Sequence, residues 1–402
     1  MEIKLQKKGL TFTLFISLLF WLTACGGDSS DFADENIQAE ENGAFVAAKQ
    51  ITINDPIVGI YEDVKGYKIS YITTHPKTDV KIQASGLLLI PQKDAGKVSP
   101  LLSYQHATNF LDENVPSNNP SALVELAGRG FIVTAPDYIG YGDSASQSHT
   151  YIYGPGYVNA GIDMIRATKT YLKSQNIVIN DQLFLAGYSE GGYATLAMHK
   201  AIQESGEFTI TATAAGAGPY DLIETAKIVA NKDVNENPAF MSFVLKTYDD
   251  VHSLNAVSEM YQTDYIDAIN TVFDGTTSGG QIKLSLTTIT SSLFTSQFLA
   301  TLRGEQSAGS FEIMDKLEEQ SIYNWTPNAP TMLFHSKDDE TVPYENTQKA
   351  YATMIDNGAS ITLKTCEIPL LGEFLGDTHV TCAPKFILNT AEYFLDYDPE
   401  LK

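Results

Sequence analysis

The stretch LFLAGYSEGGYATLA, residues 183–197, decides the fold of this chain. Its first residues form an apolar run typical of a buried strand, and after Ser189 the apolar residues recur at helical spacing. A serine at such a strand-to-helix turn projects its hydroxyl above the sheet. Side chains at Gly187 and Gly191 would collide with the neighbouring strand and helix, and Gly192 loosens the turn further. We therefore predict that Ser189 is a nucleophile, which needs a base and donors for an oxyanion.

The acid of such a site should follow the serine, and the base should follow the acid. The stretch LFHSKDDETVPYENT, residues 333–347, is an apolar run that ends in two carboxylates. The spacing Asp-x-x-Val-Pro places Asp339 in the turn just after the strand, so we predict Asp339 as the acid. Asp338 would then point away, and it is the alternative acid.

His379 is the only one of the seven histidines that follows this acid in the chain. It lies in LGDTHVTCAPKF, residues 375–386, which we expect to be a loop between the last strand and the last helix. A histidine in that loop could reach Ser189 from above the sheet. We therefore predict His379 as the base.

The oxyanion needs two hydrogen-bond donors. The first is predicted to be the backbone N–H of Glu190, at the start of the helix, where N–H groups lack partners within the helix. The second should follow the third strand of the fold, in LLSYQHATNF (residues 101–110), and we assign it to the N–H of Thr108. His106 is then structural, and no spacing of ligand residues elsewhere matches a metal site.

The whole chain from about residue 51 to 402 is consistent with one α/β domain. Two runs alternate like antiparallel strands, and several short apolar runs are typical of strands buried on both faces, with helical segments between them. Between about residues 223 and 328 the pattern is mainly helical, and the alternation then resumes. We interpret this insert as a helical cap in which Phe240, Phe243 and Leu245 influence the acyl-length preference. The alternative is a separate helical domain.

The first residues are typical of an export signal, because Lys4, Lys7 and Lys8 precede the apolar run LTFTLFISLLFWLTA. The run ends in LTAC, residues 22–25, which resembles the lipobox of bacterial lipoproteins. Residues 1–24 would then be a signal peptide, and Cys25 would carry the lipid. The protein would face the periplasm or the cell surface, held at the membrane by this anchor alone. The alternative is a simple cleaved signal.

Residues 25–50 are acidic and polar, so we predict a flexible tether without fixed structure. Cys366 and Cys382 remain as an even pair of cysteines in an exported protein, for which we predict a disulfide, with two free thiols as the alternative. The formal net charge of −23 argues against nucleic acid as a partner.

The stretches GYSEGG, DDETVP, DTH and SYQHAT together resemble the α/β-hydrolase superfamily, and within it the secreted lipases and esterases with a helical cap. The resemblance extends from about residue 60 to the C-terminus. It implies hydrolysis of a small-molecule or lipid ester through an acyl-enzyme, without a cofactor. The usual His-Gly of the group is His106-Ala107 here, which leaves the backbone donor at Thr108 in place.

Two other functions fit the same residues. A peptidase could use the same triad on the same fold, because the triad also cleaves amides. A non-catalytic surface-binding lipoprotein could retain the fold, although the three intact triad positions count against it.

Overall fold

The computed structural model describes residues 37, 40–54, 63–94, 96–305, 311–366, 378–398 and 401. Within these ranges nine strands form one sheet, in the order β1-β2-β3-β5-β4-β6-β7-β8-β9. The strands are β1 (Phe45–Ile51), β2 (Val64–Thr74), β3 (Lys81–Pro91), β4 (Ser99–Gln105), β5 (Ile132–Pro136), β6 (Ile179–Tyr188), β7 (Ala212–Gly216), β8 (Thr331–His335) and β9 (Ile361–Thr365).

The sheet is antiparallel at one side and parallel across the rest. β1, β2, β3 and β5 pair antiparallel in turn, with Tyr67 opposite Leu88 in the β2–β3 pair. β5, β4, β6, β7, β8 and β9 pair in parallel. The antiparallel pair and the buried parallel strands predicted from the apolar runs are therefore confirmed.

Thirteen α-helices lie in the described part of the chain. They are α1 (Ser121–Gly128), α2 (Gly154–Ser174), α3 (Glu190–Ser205), α4 (Leu222–Ala230), α5 (Pro238–His252), α6 (Val257–Met260), α7 (Ile266–Thr271), α8 (Gly279–Ser285), α9 (Thr290–Leu293), α10 (Ser296–Leu302), α11 (Glu312–Glu319), α12 (Tyr344–Asp356) and α13 (Thr378–Leu395).

Helices cover both faces of the sheet. Successive residues of a strand point to opposite faces, so Leu102 packs in the cluster of α1 and α13, whereas Leu101 packs in the cluster of α2 and α3. Phe184 and Leu185 of β6 divide in the same way. A sheet covered on both sides explains why its central strands are continuous apolar runs.

The segment between β7 and β8 is helical, as the sequence predicts. It contains α4 to α11, and its described residues form only two isolated bridges, Val234 with Ile289 and Tyr261 with Phe294. The sheet then resumes at β8. This segment and the tyrosine-rich stretch 138–157 share one large apolar cluster.

The prediction of a flexible tether over residues 25–50 is wrong at its C-terminal end. Strand β1 begins at Phe45 and pairs with β2, with Lys49 opposite Lys68, and the N–H of Gly43 donates to Ile72 at 2.8 Å. β1 is an edge strand with much of its surface exposed, so its few apolar residues resemble those of a solvated segment. The signal peptide and Cys25 lie outside the described residues.

Candidate active site

Ser189 occupies the turn between β6 and α3. Its backbone has φ 60° and ψ −120°, in the left-handed half of the φ range that few non-glycine residues adopt and that is found at functional sites. The turn is fixed on both sides, because the N–H of Ser189 donates to Gly216 at 2.8 Å and the carbonyl of Ser189 accepts the N–H groups of Gly192 and Tyr193. A strained conformation of this kind is expected of a nucleophile at a strand-to-helix turn.

The glycines around Ser189 are required by close contacts. A Cβ atom at Gly187 would lie 2.3 Å from the carbonyl oxygen of Gly191, and one at Gly191 would lie 1.9 Å from that of Gln105. Both distances are far below contact distance, so the predicted collisions are confirmed. Gly192, which was expected to loosen the turn, is instead required by close contact, since its Cβ would lie 2.2 Å from the carbonyl oxygen of Gly216.

The structure brings Ser189, His379 and Asp339 into one hydrogen-bonded chain. His379 Nε2 lies 2.8 Å from Ser189 Oγ, and His379 Nδ1 lies 2.6 Å from Asp339 Oδ2. The ionised carboxylate can only accept, so Nδ1 donates and the lone pair of Nε2 faces the serine hydroxyl. This is the tautomer that can accept the serine proton.

His379 lies in the first turn of helix α13, and the prediction that it lies in a loop is wrong. Pro384 lies inside α13, and because proline is rare in the interior of a helix, the sequence favours a loop at this point. Cys366, just after β9, forms the predicted disulfide with Cys382 of α13, with a Cα–Cα distance of 6.1 Å. The bridge therefore connects the end of β9 to the helix that carries His379.

Asp339 is buried, with a side chain that is 0% exposed. Its Oδ1 accepts the N–H groups of Thr341 and Val342 at 2.9 and 2.8 Å. Burial alone would raise the pKa of Asp339, but hydrogen bonds from His335 and His379 outweigh it and hold the pKa well below its usual value. The carboxylate therefore stays ionised over the whole range in which an imidazole can act as a base.

Asp338, the alternative acid, is exposed. Its backbone N–H lies 3.3 Å from Ser336 Oγ, and its carbonyl accepts the Thr378 hydroxyl at 2.5 Å. Asp339 alone of the two carboxylates contacts His379 among the described hydrogen bonds.

His335, at the end of β8, is a residue that the sequence analysis did not single out. It is fully buried, and its Nε2 lies 3.0 Å from both Asp339 Oδ2 and the carbonyl oxygen of Val342. Because a carbonyl oxygen only accepts, Nε2 carries the proton and donates to Asp339. Nδ1 lies 2.6 Å from Thr347 Oγ1. The sequence does contain a signal for this residue: a histidine lies at the end of strand β8, four residues before Asp339.

The two residues assigned to the oxyanion donors lie at the start of α3 and in the loop after β4. Glu190 is the first residue of α3, so its N–H has no acceptor within the helix. Thr108 follows β4, and its hydroxyl lies 2.9 Å from that of Tyr151. The carbonyl groups of Gln105 and His106, at the end of β4, lie close to Gly191. This end of the strand is therefore next to the nucleophile turn.

His106 lies in the same loop and is buried. Its ring stacks on Tyr138 at a centroid distance of 3.9 Å, and its Nε2 lies 3.2 Å from the carbonyl oxygen of Asp137. Burial lowers the pKa of His106, which favours the neutral ring. These contacts agree with the structural role expected for it. In the parts of the chain that the structure describes, no group of three His, Cys, Asp or Glu side chains could hold a metal ion.

A cleft opens at Ser189. Much of its wall comes from the helical segment between β7 and β8. The apolar residues of that segment that line the cleft are Leu222, Val229, Phe240, Met241, Val244 and Leu317. Polar side chains are also present, among them Thr225, Asn237 and Thr341.

Of the three residues expected to influence the acyl-length preference, only Phe240 lines this cleft. Phe243 instead stacks on Tyr151 at 4.5 Å, and Leu245 is fully buried among other residues. Residues 240, 241 and 244 of α5 face the cleft. At about 3.6 residues per turn these three positions share one face of the helix, and residues 243 and 245 lie on either side of that face.

Comparison with known proteins identifies the family. The model of the secretory lipase family matches residues 118–381, a span that contains Ser189, Asp339 and His379. The chain belongs to the secretory lipase family. Ester hydrolysis is the activity of lipases, and a secretory family agrees with the predicted export.

One relative in sequence and two solved structures are also similar to this chain. The secreted triacylglycerol lipase LIP4 of Malassezia globosa is 24% identical over 362 residues, which are 83% of this chain and 73% of LIP4. The rice cell wall degrading esterase LipA of Xanthomonas oryzae has a TM-score of 0.79 at 22% identity, covering 89% of this chain and 99% of LipA. Candida antarctica lipase A in its closed state has a TM-score of 0.65 at 17% identity, covering 87% of this chain and 84% of that lipase. The secretory lipase described here thus has the α/β-hydrolase fold.

Attachment to the membrane is predicted from the N-terminal sequence alone. Among the helices that the structure describes, none has both the length and the apolar character needed to cross a membrane. The lipid anchor at Cys25 stays a prediction.

Proposed function

We propose that this secretory lipase hydrolyses carboxylic esters through an acyl-enzyme, with Ser189 as nucleophile, His379 as base and Asp339 as the acid that orients it. The observation that carries the proposal is the hydrogen-bonded chain from Ser189 Oγ through both nitrogens of His379 to Asp339 Oδ2, with distances of 2.8 and 2.6 Å. It starts at a strained turn whose glycines admit no side chain.

The reaction begins when His379 Nε2 takes the proton of Ser189 Oγ as the oxygen attacks the ester carbonyl carbon. The carbonyl oxygen becomes an oxyanion, to which the N–H groups of Glu190 and Thr108 donate. When the intermediate collapses, the C–O bond to the alcohol breaks, and His379 gives its proton to the departing alcohol. A water molecule then attacks the acyl-enzyme by the same route, which releases the carboxylic acid and restores Ser189.

Asp339 stabilises the imidazolium that exists between these proton transfers. It stays a carboxylate because His335, His379 and two backbone N–H groups all donate to it. The imidazolium therefore faces a fixed negative charge in a buried site, where the attraction between opposite charges is stronger than in water.

The cleft supports an ester with an apolar acyl group as substrate. Leu222, Val229 and Met241 offer apolar surface next to the nucleophile, and Asn237 and Thr341 add polar groups. The helical segment 223–328 acts as a cap in this proposal, because it supplies much of this wall. A substrate must fit between the cap and the sheet edge.

An ester panel tests the function and separates it from peptide cleavage. p-Nitrophenyl esters from acetate to palmitate should be hydrolysed, and the p-nitroanilide of the best acyl group should react far more slowly. Ser189→Ala should abolish the activity, whereas the matched control Ser205→Ala, at the other end of α3, should keep it. Faster cleavage of the anilide would identify a peptidase, and no cleavage of either would support a binding protein.

The location of the protein is part of the proposal. We infer export by the N-terminal signal and anchoring by a lipid on Cys25. In cells fed a radiolabelled fatty acid, the wild-type protein should take up the label and fractionate with membranes, whereas Cys25→Ser should do neither. Wild-type protein without label would identify a simple cleaved signal.

A further inference from the structure

Glu190, the residue after the nucleophile, has a carboxyl group that the proposed reaction does not use. Its side chain is 1% exposed, and it begins the helix whose first N–H we assign to the oxyanion. A lone carboxylate at this position would be costly to bury. It would also repel the negative charge that develops on the substrate oxygen.

Two side chains hold the carboxyl group of Glu190, both through Oε1. His149 Nε2 lies 2.9 Å from this oxygen, and the Tyr157 hydroxyl donates to it at 2.8 Å. The Tyr157 oxygen in turn accepts the N–H of Ile152 at 2.7 Å. The other oxygen, Oε2, is buried and has no hydrogen-bond partner among the described residues. His149 and Tyr157 therefore determine where this side chain lies.

The hydrogen-bond partners of His149 determine how many protons the His149–Glu190 pair carries. Its Nδ1 lies 2.8 Å from the carbonyl oxygen of Ile139, which only accepts, so Nδ1 carries a proton. At 2.9 Å, Nε2 and Oε1 of Glu190 must share a further proton, since two lone pairs would otherwise face each other. Whichever atom holds this proton, His149 and Glu190 together carry no net charge. The negative charge next to the oxyanion is thereby balanced.

The aromatic residues around His149 also hold the loop of Thr108. The His149 ring lies 5.9 Å from that of Tyr138 and 6.0 Å from that of Tyr151. Tyr138 donates to the carbonyl of His106 at 3.1 Å, and the Tyr151 hydroxyl lies 2.9 Å from Thr108 Oγ1. Both residues that supply oxyanion donors are therefore in contact with one cluster centred on His149.

We propose that His149 is a positioning residue for the oxyanion site: it balances the charge of Glu190 and fixes the start of α3 beside the nucleophile. His149 does not line the cleft at Ser189, so it acts through Glu190 and the adjacent tyrosines. This inference rests on the proposed function, because an oxyanion forms only if Ser189 attacks a carbonyl group.

The test measures kcat, KM and the affinity for a transition-state analogue in purified His149→Gln protein. The variant leaves the Glu190 carboxylate without a balancing proton, so kcat on a p-nitrophenyl ester should fall about tenfold or more, while KM changes by less than about threefold. Affinity for a trifluoromethyl ketone should fall in parallel with kcat/KM, because its adduct with Ser189 carries the oxyanion. The double variant His149→Gln/Glu190→Gln also removes the unbalanced carboxylate and should recover part of the lost kcat.

His199→Gln is the matched control. His199 is a fully buried histidine on the same helix as Glu190, and it contacts Thr213 and Asn328 but no carboxylate among its described hydrogen bonds. Its kcat and its ketone affinity should stay within about twofold of wild type. If His149→Gln does not fold, Tyr157→Phe removes one donor to Glu190 and should lower kcat and ketone affinity together.

The outcomes separate the two levels of the proposal. Folded His149→Gln with wild-type kcat and ketone affinity would overturn the positioning role, and so would Tyr157→Phe with both values unchanged. A His149→Gln variant in which only KM rises would also contradict the balancing of charge, and so would a double variant that recovers none of the lost kcat. A wild-type protein that neither cleaves esters nor binds the ketone would instead overturn the proposed function.

Discussion

Asp339→Asn should lose most of the esterase activity, because the substitution imposes the wrong tautomer on His379. In the structure, Oδ1 of Asp339 accepts the N–H groups of Thr341 and Val342, so the carbonyl oxygen of an asparagine must take that position. Its NH₂ group then takes the position of Oδ2, which lies 2.6 Å from His379 Nδ1 and 3.0 Å from His335 Nε2. An NH₂ group donates, so His379 must accept at Nδ1 and carry its proton on Nε2, where it cannot take the proton of the nucleophile.

The expected cost follows from this tautomer. The same substitution in a serine triad costs about 10⁴-fold in kcat, which is about 5 kcal/mol in the activation free energy. The assay is the kcat for p-nitrophenyl butyrate at pH 8, with a thermal melt to establish that each variant is folded. Asp338→Asn, at the exposed neighbouring position, is the matched control and should stay within about threefold of wild type. A folded Asp339→Asn within about tenfold of wild type, or a larger loss at Asp338, would refute the reasoning.

Three further predictions concern the bridge, the cleft and a buried histidine. Cys366→Ser/Cys382→Ser opens a bridge with a sequence separation of 16 and should lower the free energy of unfolding in urea by about 3 kcal/mol; unchanged stability would contradict this. Val244→Phe narrows the cleft and should reduce kcat/KM on palmitate esters far more than on acetate, whereas Leu245→Met, which does not line it, should leave the ratio unchanged. Burial lowers the pKa of His199 to about 4, below the value of about 6.5 in the unfolded chain. The unfolded chain therefore takes up the proton first as the pH falls, and the fold should lose about 1.6 kcal/mol of stability between pH 6.5 and 5. Urea titrations of His199→Gln at the two pH values should lack this loss.

The sequence predicts the parts of the site that depend on local pattern and chain order. Ser189 follows from a strand, a glycine-flanked turn and a helix within 15 residues. Asp339 follows from the end of an apolar strand, and His379 from being the only histidine after it. Each of these signals is contained in a short stretch, so no knowledge of distant contacts is needed.

The contacts of His149 could not be predicted, because they depend on tertiary structure. His149 and Glu190 are 41 positions apart, and nothing in either stretch indicates the other. His335 lies close to Asp339 in sequence, but a histidine at a strand end is equally compatible with an exposed position. Strand β1 was missed for another reason: an edge strand buries little, so its residues carry no clear apolar alternation.

Covalent acylation of Ser189 underlies the proposed reaction, and a fluorophosphonate that reacts with activated serines measures it. The mature protein is treated with a fluorophosphonate, digested, and mapped by tandem mass spectrometry, with His379→Ala and heat-denatured protein as controls. We expect one adduct per chain, on Ser189, which is lost in both controls together with ester hydrolysis. An adduct on another residue, or full hydrolysis by a protein that forms no adduct on Ser189, would contradict it.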